Sequence, residues 1–567
     1  MSDHWHNTAL ESLEVGATPV VLHMLSGLQL HELFDRHLPR LPGRPPALSS
    51  ALTLTVLLTN LVIARRPLYA IPEWAARRVP EHLGLLSEQV VLLNDDRIGA
   101  ALDHLHRADR ASLLTALVRH VVSAFTIDCA EFHQDTTTVT FSGDYADQPN
   151  AINPTRPPRI TFGYNKDHRP DLKQLLYSVT ISADGAVPVH AKIYDGNTTD
   201  DAVHIDTWTF LTQLVGHADF LYVADSKLCT RENMTHIGSR QGRFLTVMPK
   251  TRNEDEWFRN HLRTQPVEWV EVHREPSPRR RTDPDVVYHG VESPQRSSDG
   301  YRVLWYRSSQ KEQSDRNARQ ERLRRAHAAL VELSERKRPW RGATEAREAG
   351  TRILREEEVE HLLRVEVECF VEEHFEQAGP GRPGPETEYR KVETPRWRIR
   401  FEELGEALSD AARCDGLFPL MTNDESLSVA EALRKYKYQP FVEKRHEQLK
   451  NGFDVTPMWL KNVARIESLL WLYYVVELVG ALVEREIRRA MTDSGIESLG
   501  LYPEGRATLA PTTGAVFDVL EGCRRHRLLD EQGQELRRFH DPLSNDARLV
   551  LRLLGVSAAA YGSDEQN

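Results

Sequence analysis

The strongest constraint on the fold lies between residues 127 and 250, where helix-like apolar spacing gives way to short β-branched runs. Glu131–Phe141 (EFHQDTTTVTF), Leu175–Ser182 (LLYSVTIS) and Val187–Tyr194 (VPVHAKIY) read as strands. The second and third flank Ala183-Asp184-Gly185-Ala186, a hairpin-turn signal, so three neighbouring antiparallel strands are predicted. Ala202–Val215 then reads as a helix with Asp200 or Asp201 near its cap. Phe220–Val223 is a strand running into Ala224-Asp225-Ser226; Arg231–Ile237 is a helix and Phe244–Met248 another strand. The order βββ-α-β-α-β, with carboxylates at two strand ends, describes a mixed-sheet α/β domain.

At 567 residues the chain is too long for one hydrophobic core. Before about residue 126 it reads as helical: Leu52–Ala64, Arg97–His106 and Ala111–Phe125 space apolar residues by three and four. From 251 to 414 strand-like runs (Val267–Val272, Val286–His289, Tyr301–Arg307, Leu363–Val371) mix with a long charged helix, Ser309–Arg338. The α/β pattern resumes at Gly416–Met421, and helices follow to about Met491. The segments predicted are therefore 1–126, 127–250, 251–414, 415–495 and a helical 496–567.

Formal charge is −11, from 72 basic and 83 acidic residues, so attraction to an anionic partner must be local. Arg279-Arg280-Arg281, the group Arg316, Arg319, Arg322, Arg324 and Arg325, and Arg336-Lys337-Arg338 supply such clusters. Interleaved Glu321, Glu332 and Glu335 equally describe a solvated helix laced with ion pairs. The five cysteines stand singly, which fits a reducing cytoplasm and excludes a zinc ribbon. No signal-peptide pattern opens the chain. Ala51–Ala64 and Leu469–Val483, the latter interrupted by Glu477, fall short of the roughly 20 apolar residues a bilayer span needs, so no membrane association is expected. HExxH, GxSxG and GxxxxGK[ST] patterns are missing, which counts against zinc-peptidase, serine-hydrolase and P-loop chemistry.

Three acidic positions remain: Asp135 in His133-Gln134-Asp135-Thr136-Thr137, Asp225 at the end of Leu221–Ala224, and Glu443 in a later helix. Either aspartate alone also reads as a strand-end cap. Together they could hold two hard divalent cations for phosphodiester chemistry. Ser428-x-x-Glu431 is a capping box opening a helix at Val429, and Pro440 should kink or restart it, which would put Tyr436 on a different helical segment from Glu443. Glu443 and Lys450, seven apart, would share one helix face. Taken alone, this stretch is also compatible with an ordinary charged amphipathic helix.

The set Tyr436-x-x-Gln439-x-x-x-Glu443-x-x-x-x-x-x-Lys450 resembles the Tyr-Arg-Glu-Lys signature of a subgroup of DDE-type insertion-sequence transposases. The segments around Asp135 and Asp225, Asp195-Gly196-Asn197-Thr198-Thr199-Asp200, and Met421-Thr422-Asn423 are similar too. The resemblance covers roughly residues 10–490. It implies a ribonuclease-H-like mixed sheet behind a helical, DNA-binding N-terminal region, with a large β-rich insertion before the catalytic glutamate. Asp135, Asp225 and Glu443 would bind two Mg²⁺ or Mn²⁺ ions. Tyr436 and Lys450 would hold phosphates. The family's arginine is here Gln439, so the DNA phosphate contact at this position would be a neutral one made by Gln439, or would be supplied elsewhere, by Lys444 or Arg445. The implied reaction is cleavage at transposon terminal inverted repeats, by way of hairpin ends, and strand transfer into target DNA. The implied partners are double-stranded DNA and a second copy of the chain in a synaptic homodimer. A base-stacking tryptophan would come from Trp257, Trp269, Trp305, Trp340 or Trp397. Residues 496–567 would serve dimerisation or DNA contact. The expected setting is the nucleoid-bearing cytoplasm of a GC-rich bacterium. Two alternatives stay open: a nuclease on the same fold without strand transfer, and an inactivated DNA-binding relative.

Overall fold

The computed structural model describes residues 8–40, 43, 46–143, 145, 157–166, 169–277, 282–336, 338–452, 461–502 and 504–562. The chain forms two compact units: residues 1–246 together with 435–567, and residues 247–434, inserted between those two stretches in sequence. The Arg279–Arg281 cluster falls outside the described residues.

The first unit begins with a strand, β1 (Ala9–Glu14), followed by α1 (Thr18–Gly27), α2 (Leu30–His37), α3 (Ser50–Ile63), α4 (Ile71–Ala76), α5 (Asp95–Arg107) and α6 (Arg110–Ala124). Ser49, Asn94 and Asp109 cap α3, α5 and α6 by accepting from the backbone N–H three residues on, each worth about 1 kcal/mol. Next come β2 (Glu131–Phe141), β3 (Lys173–Ser182), β4 (Pro188–Tyr194), α7 (His204–Val215), β5 (Leu221–Ala224), α8 (Arg231–Gly238) and β6 (Arg243–Val247). Their sheet order is β4-β3-β2-β5-β6. β2, β3 and β4 pair antiparallel, whereas β2–β5 and β5–β6 pair parallel. This is the ribonuclease-H-like mixed sheet expected from the sequence. The β3–β4 hairpin turns where predicted: Gly185 sits at φ +75°, and the Asp184 carboxylate is held by Arg485 Nη2 at 2.6 Å and by the Asp128 N–H. A side chain at Gly185 would also collide with Arg485.

The second unit contains α9 (Asn253–Thr264), β7 (Val270–Glu275), β8 (Val286–Glu292), β9 (Arg302–Ser308), α10 (Ser309–Ser334), α11 (Ala343–Glu356), β10 (Leu363–Gln377), β11 (Tyr389–Glu403), α12 (Gly405–Arg413), β12 (Leu417–Thr422) and most of α13 (Val429–Tyr436). β12, β9, β8 and β7 pair antiparallel in that order around fully buried Trp305, which stacks on Phe258 at 4.2 Å. β10 and β11 form a separate two-stranded ribbon. The α10 arginines are matched rather than massed: Arg316 pairs with Glu312, Arg322 with Glu358, Arg324 with Glu321 and Arg325 with Glu357. Arg319 grips buried Asp415 with both nitrogens. The charge run is thus the ion-paired helix, not a bare cationic stripe. Trp305 and Trp340 are core residues, while Trp257, Trp269 and Trp397 are half-buried. The Ser428–Glu431 capping box forms as predicted, with Ser428 Oγ accepting from Glu431 N–H and Glu431 Oε2 accepting from Ser428 N–H.

Back in the first unit, α14 (Pro440–Glu447) precedes α15 (Val463–Asp493), α16 (Thr513–Asp518), β13 (Arg524–Leu529), β14 (Glu535–His540) and α17 (Asn545–Leu553). α15 is long and apolar enough to cross a membrane, yet most of it is buried inside its own unit as a core helix. Each of its fully buried Leu and Val side chains is worth roughly 1.5–3 kcal/mol. One expectation needs correction. The segment 496–567 is not wholly helical, because its β13 and β14 form an antiparallel sheet with β1 of the otherwise helical N-terminal region. Charge-rich RRHRLL and ELRRFH lack apolar alternation. They are set by a turn in which Asp530 accepts from Gln532 and Gln534 N–H and Gly533 takes φ +77°.

Inside the core, Glu477 of α15 is fully buried beside Tyr177 and Tyr474, with Arg445 as its nearest counter-charge. Burial pushes its carboxyl up to about 8. A raised folded-state pKa binds the proton more tightly than the unfolded chain does. The contribution of Glu477 to stability is therefore full below about pH 4.5 and is lost as pH rises toward 8, by about 1.4 kcal/mol per unit at most. Glu477→Gln, which mimics the protonated form, should flatten this slope. Its thermal midpoint should exceed that of the wild type at pH 8 and match it near pH 4.5, by calorimetry.

Candidate active site

β2 and β5 run parallel, with Gln134 in register with Ala224. The next residues along, Asp135 and Asp225, therefore emerge side by side from strands about 4.8 Å apart. Asp225 is fixed by its own backbone, its carbonyl accepting from Thr246 Oγ1 at 2.6 Å and its Oδ1 from Lys227 N–H at 2.9 Å. α14 packs on β2 and carries Glu443 in its first turn, Pro440 having restarted the helix after Tyr436 closed α13. Burial, then the negative charge of Asp135, raises the Glu443 carboxyl above its usual range. Burial likewise raises Asp135 and Asp225, each of which feels the charge of Asp200. All three predicted carboxylates thus sit within one another's electrostatic reach, directly or through Asp135. Among the described residues, however, no three His, Cys, Asp or Glu side chains stand close enough to hold one ion between them.

Two residues of this cluster escaped the sequence reading as site residues. Asp200 is delivered by the loop Asp195–Asp200, which passes so close to β3 that a Cβ on Gly196 would collide with the Gln174 carbonyl. Gln174 Nε2 clamps the Gly196 carbonyl at 2.8 Å. Lys166 lies 3.6 Å from Asp135 Oδ1 and 3.3 Å from Asp200 Oδ2, and donates to Thr136 O and Oγ1. Although burial works against the ammonium, Asp135 and Asp200 hold its pKa above the usual lysine value. Asp200 was legible only as a helix-cap candidate and as the end of the Asp195–Asp200 segment, and Lys166 follows a stretch without periodicity. Tyr436 is largely buried; burial, then Asp225, Glu443 and Asp135, push its phenol up to about 12, leaving it a neutral donor.

His446, three residues after Glu443, is buried with its Nε2 3.7 Å from Asp135 Oδ2 and its ring edge-on to Tyr177. Burial, then Lys166 and Lys450, lower its pKa to about 3.

Two residues proposed to meet DNA are instead core braces. Gln439 is only 5% exposed; its Nε2 donates to the Gln134 carbonyl at 2.8 Å and its Oε1 faces His133 Nδ1 at 3.2 Å. His133 Nε2 bonds Glu131 at 2.8 Å, and Lys435 pairs with the same carboxylate. Against the upward push of burial, His133 and Lys435 hold Glu131 below its usual range. Arg445 is buried too, bonded to the Ala186 carbonyl and Gln448, with Glu484 at 3.6 Å. Both corrections have one cause: residues 439 and 445 lie on the side of their segment that packs on the sheet, which spacing alone could not assign. Lys444 remains exposed. Lys450 and Glu443 do not share one regular helix, because a π-helical turn, Gln448–Gly452, intervenes.

A cavity of about 600 Å³ in this unit lies elsewhere, among Trp74, Arg77, Phe517 and Arg524.

Residues 10–119 match a family model described as a domain of unknown function, DUF4277. No curated protein matches the chain. Among solved structures, the chain is similar to the piggyBac transposase in a cryo-EM synaptic complex with hairpin DNA, at 8% identity and TM-score 0.34, covering 96% of this chain and 82% of that one. It is also similar to the Mos1 transposase in a paired-end complex with the left transposon end, at 12% identity and TM-score 0.14, covering 35% of this chain and 59% of that one. Overlap this loose carries no function, which rests on the site itself.

Gln439→Ala should lower stability by about 1–3 kcal/mol, since it strands the Gln134 carbonyl and one His133 nitrogen in the core. Denaturant unfolding should show that loss, while affinity for DNA, measured on the folded variant, stays within about twofold.

Proposed function

We propose that this protein is a DNA transposase that cuts transposon ends and joins them to target DNA. One observation carries the reading: on a ribonuclease-H-like sheet, Asp135 and Asp225 leave adjacent parallel strands side by side, and Glu443 faces them from α14. The ordered set of motifs around those residues supports it independently.

The donors fit hard divalent cations. Asp135, Asp200, Asp225 and Glu443 bring four carboxylates together, and Lys166 is the ammonium placed against them. Such an excess of negative charge, partly desolvated, favours a compact cation with oxygen ligands. Asp135, Asp225 and Glu443 would hold two Mg²⁺ or Mn²⁺ ions, which supply activation of the attacking oxygen and stabilisation of the leaving one. Tyr436, as a neutral donor, and the cations Lys450 and Lys444 would orient phosphates beside the scissile bond. The proposed sequence is hydrolysis at the element's terminal repeats, attack of the freed 3′-OH to close a hairpin, a second hydrolysis, and strand transfer, within a homodimer on paired ends. The nuclease alternative shares every active-site residue and differs only in lacking joined products.

Alanine at Asp135, Asp225 or Glu443 should take metal-dependent cleavage of end-sequence DNA below detection while end binding persists. Cleavage retained by any one variant removes that residue from the site. Joined products made by the wild type support the transposase; cut ends without joining support the nuclease.

A further inference from the structure

A buried imidazole is costly when its nitrogens are not engaged, at about 1–3 kcal/mol for a lost partner. His446 is in that position: it is 5% exposed and, among the described residues, neither ring nitrogen makes a well-formed hydrogen bond, the Asp135 backbone being the polar group that acts on the ring. The polar atom it faces belongs to Asp135, whose Oδ2 stands 3.7 Å from Nε2. That is too long for a hydrogen bond. It does match two donors around a common ion, which at bond lengths of about 2.0–2.2 Å stand about 3–4 Å apart. His446 also follows Glu443 by three residues on α14, so both side chains lie on the same side of the helix. A Glu-x-x-His pair at this spacing is a recurrent helical arrangement for holding metals beside further carboxylates.

We propose that His446 is a nitrogen ligand in the cation site built on Asp135, and that the site therefore selects Mn²⁺ over Mg²⁺. The proposal rests on the functional reading above and deepens it. Mg²⁺ keeps to oxygen ligands and surrenders its waters reluctantly, whereas imidazole suits later divalent ions. Asp135 and His446 come from β2 and α14, two elements already packed together, and a third side chain has to move in to complete the ion's ligands, since no three such groups among the described residues stand close enough to hold one.

The test uses the full-length chain and Mn²⁺ itself, without DNA. Pulsed electron paramagnetic resonance of the bound Mn²⁺ should show ¹⁴N coupling from an imidazole, and the coupling should vanish in His446→Ala and His446→Gln. Competition calorimetry should show the Mn²⁺-to-Mg²⁺ affinity ratio falling by about 10- to 100-fold in both variants. A wild-type spectrum without ¹⁴N coupling overturns the inference even if both variants fail to fold. So does coupling, or an affinity ratio, that persists in a folded variant. If the wild type binds no Mn²⁺, or Asp135→Ala binds it equally well, the carboxylate site itself fails; intact binding without nitrogen coupling removes only the histidine.

Discussion

Like-charge repulsion at the end of a rigid sheet governs this molecule. Asp135, Asp200, Asp225 and Glu443 are brought together by segments far apart in sequence, with Lys166 as the cation between two of them. Such an arrangement opposes folding, so the surrounding structure must hold it. The parallel pairing of β2 with β5 fixes two carboxylates through backbone hydrogen bonds, and neither side chain needs to contribute. The sheet is in turn backed by α15, whose apolar burial supplies stability that the acidic cluster consumes.

The buried polar residues around the site tie its segments together. Gln439 ties the segment before α14 to the β2 backbone, and the chain His133–Glu131–Lys435 continues that brace. Arg445 joins α14 to the β3–β4 turn through the Ala186 carbonyl and faces Glu484 on α15. These contacts set where Glu443 stands relative to Asp135. A glutamine where the resemblance expects arginine is then a change of architecture: a neutral amide satisfies a backbone carbonyl and an imidazole in a space where a guanidinium would bury a charge.

The mixed sheet of the first unit was legible because each strand carries its own local signal: β-branched runs, a hairpin turn at Asp184-Gly185, and aspartates where strands end. Tyr436, Glu443 and Pro440 were legible because proline and capping chemistry act over a few residues. Gln439 and Arg445 were misread since spacing gives a periodicity but not the face that packs. Lys166, Asp200 and His446 gain their roles only from contacts across the fold. The β1–β13–β14 sheet was missed because β1 and β13 pair across 510 or more residues, Glu14 with Arg524 for one, and the local β13–β14 hairpin is charged rather than alternating.

The account stands on one claim, that Asp135, Asp225 and Glu443 close on divalent cation. Anomalous diffraction from crystals of the protein soaked in Mn²⁺ tests it most directly. The predicted result is manganese density bounded by those three carboxylates, with the Lys166 ammonium withdrawn from Asp135. Manganese density at other positions only, with Lys166 still against Asp135, would contradict it.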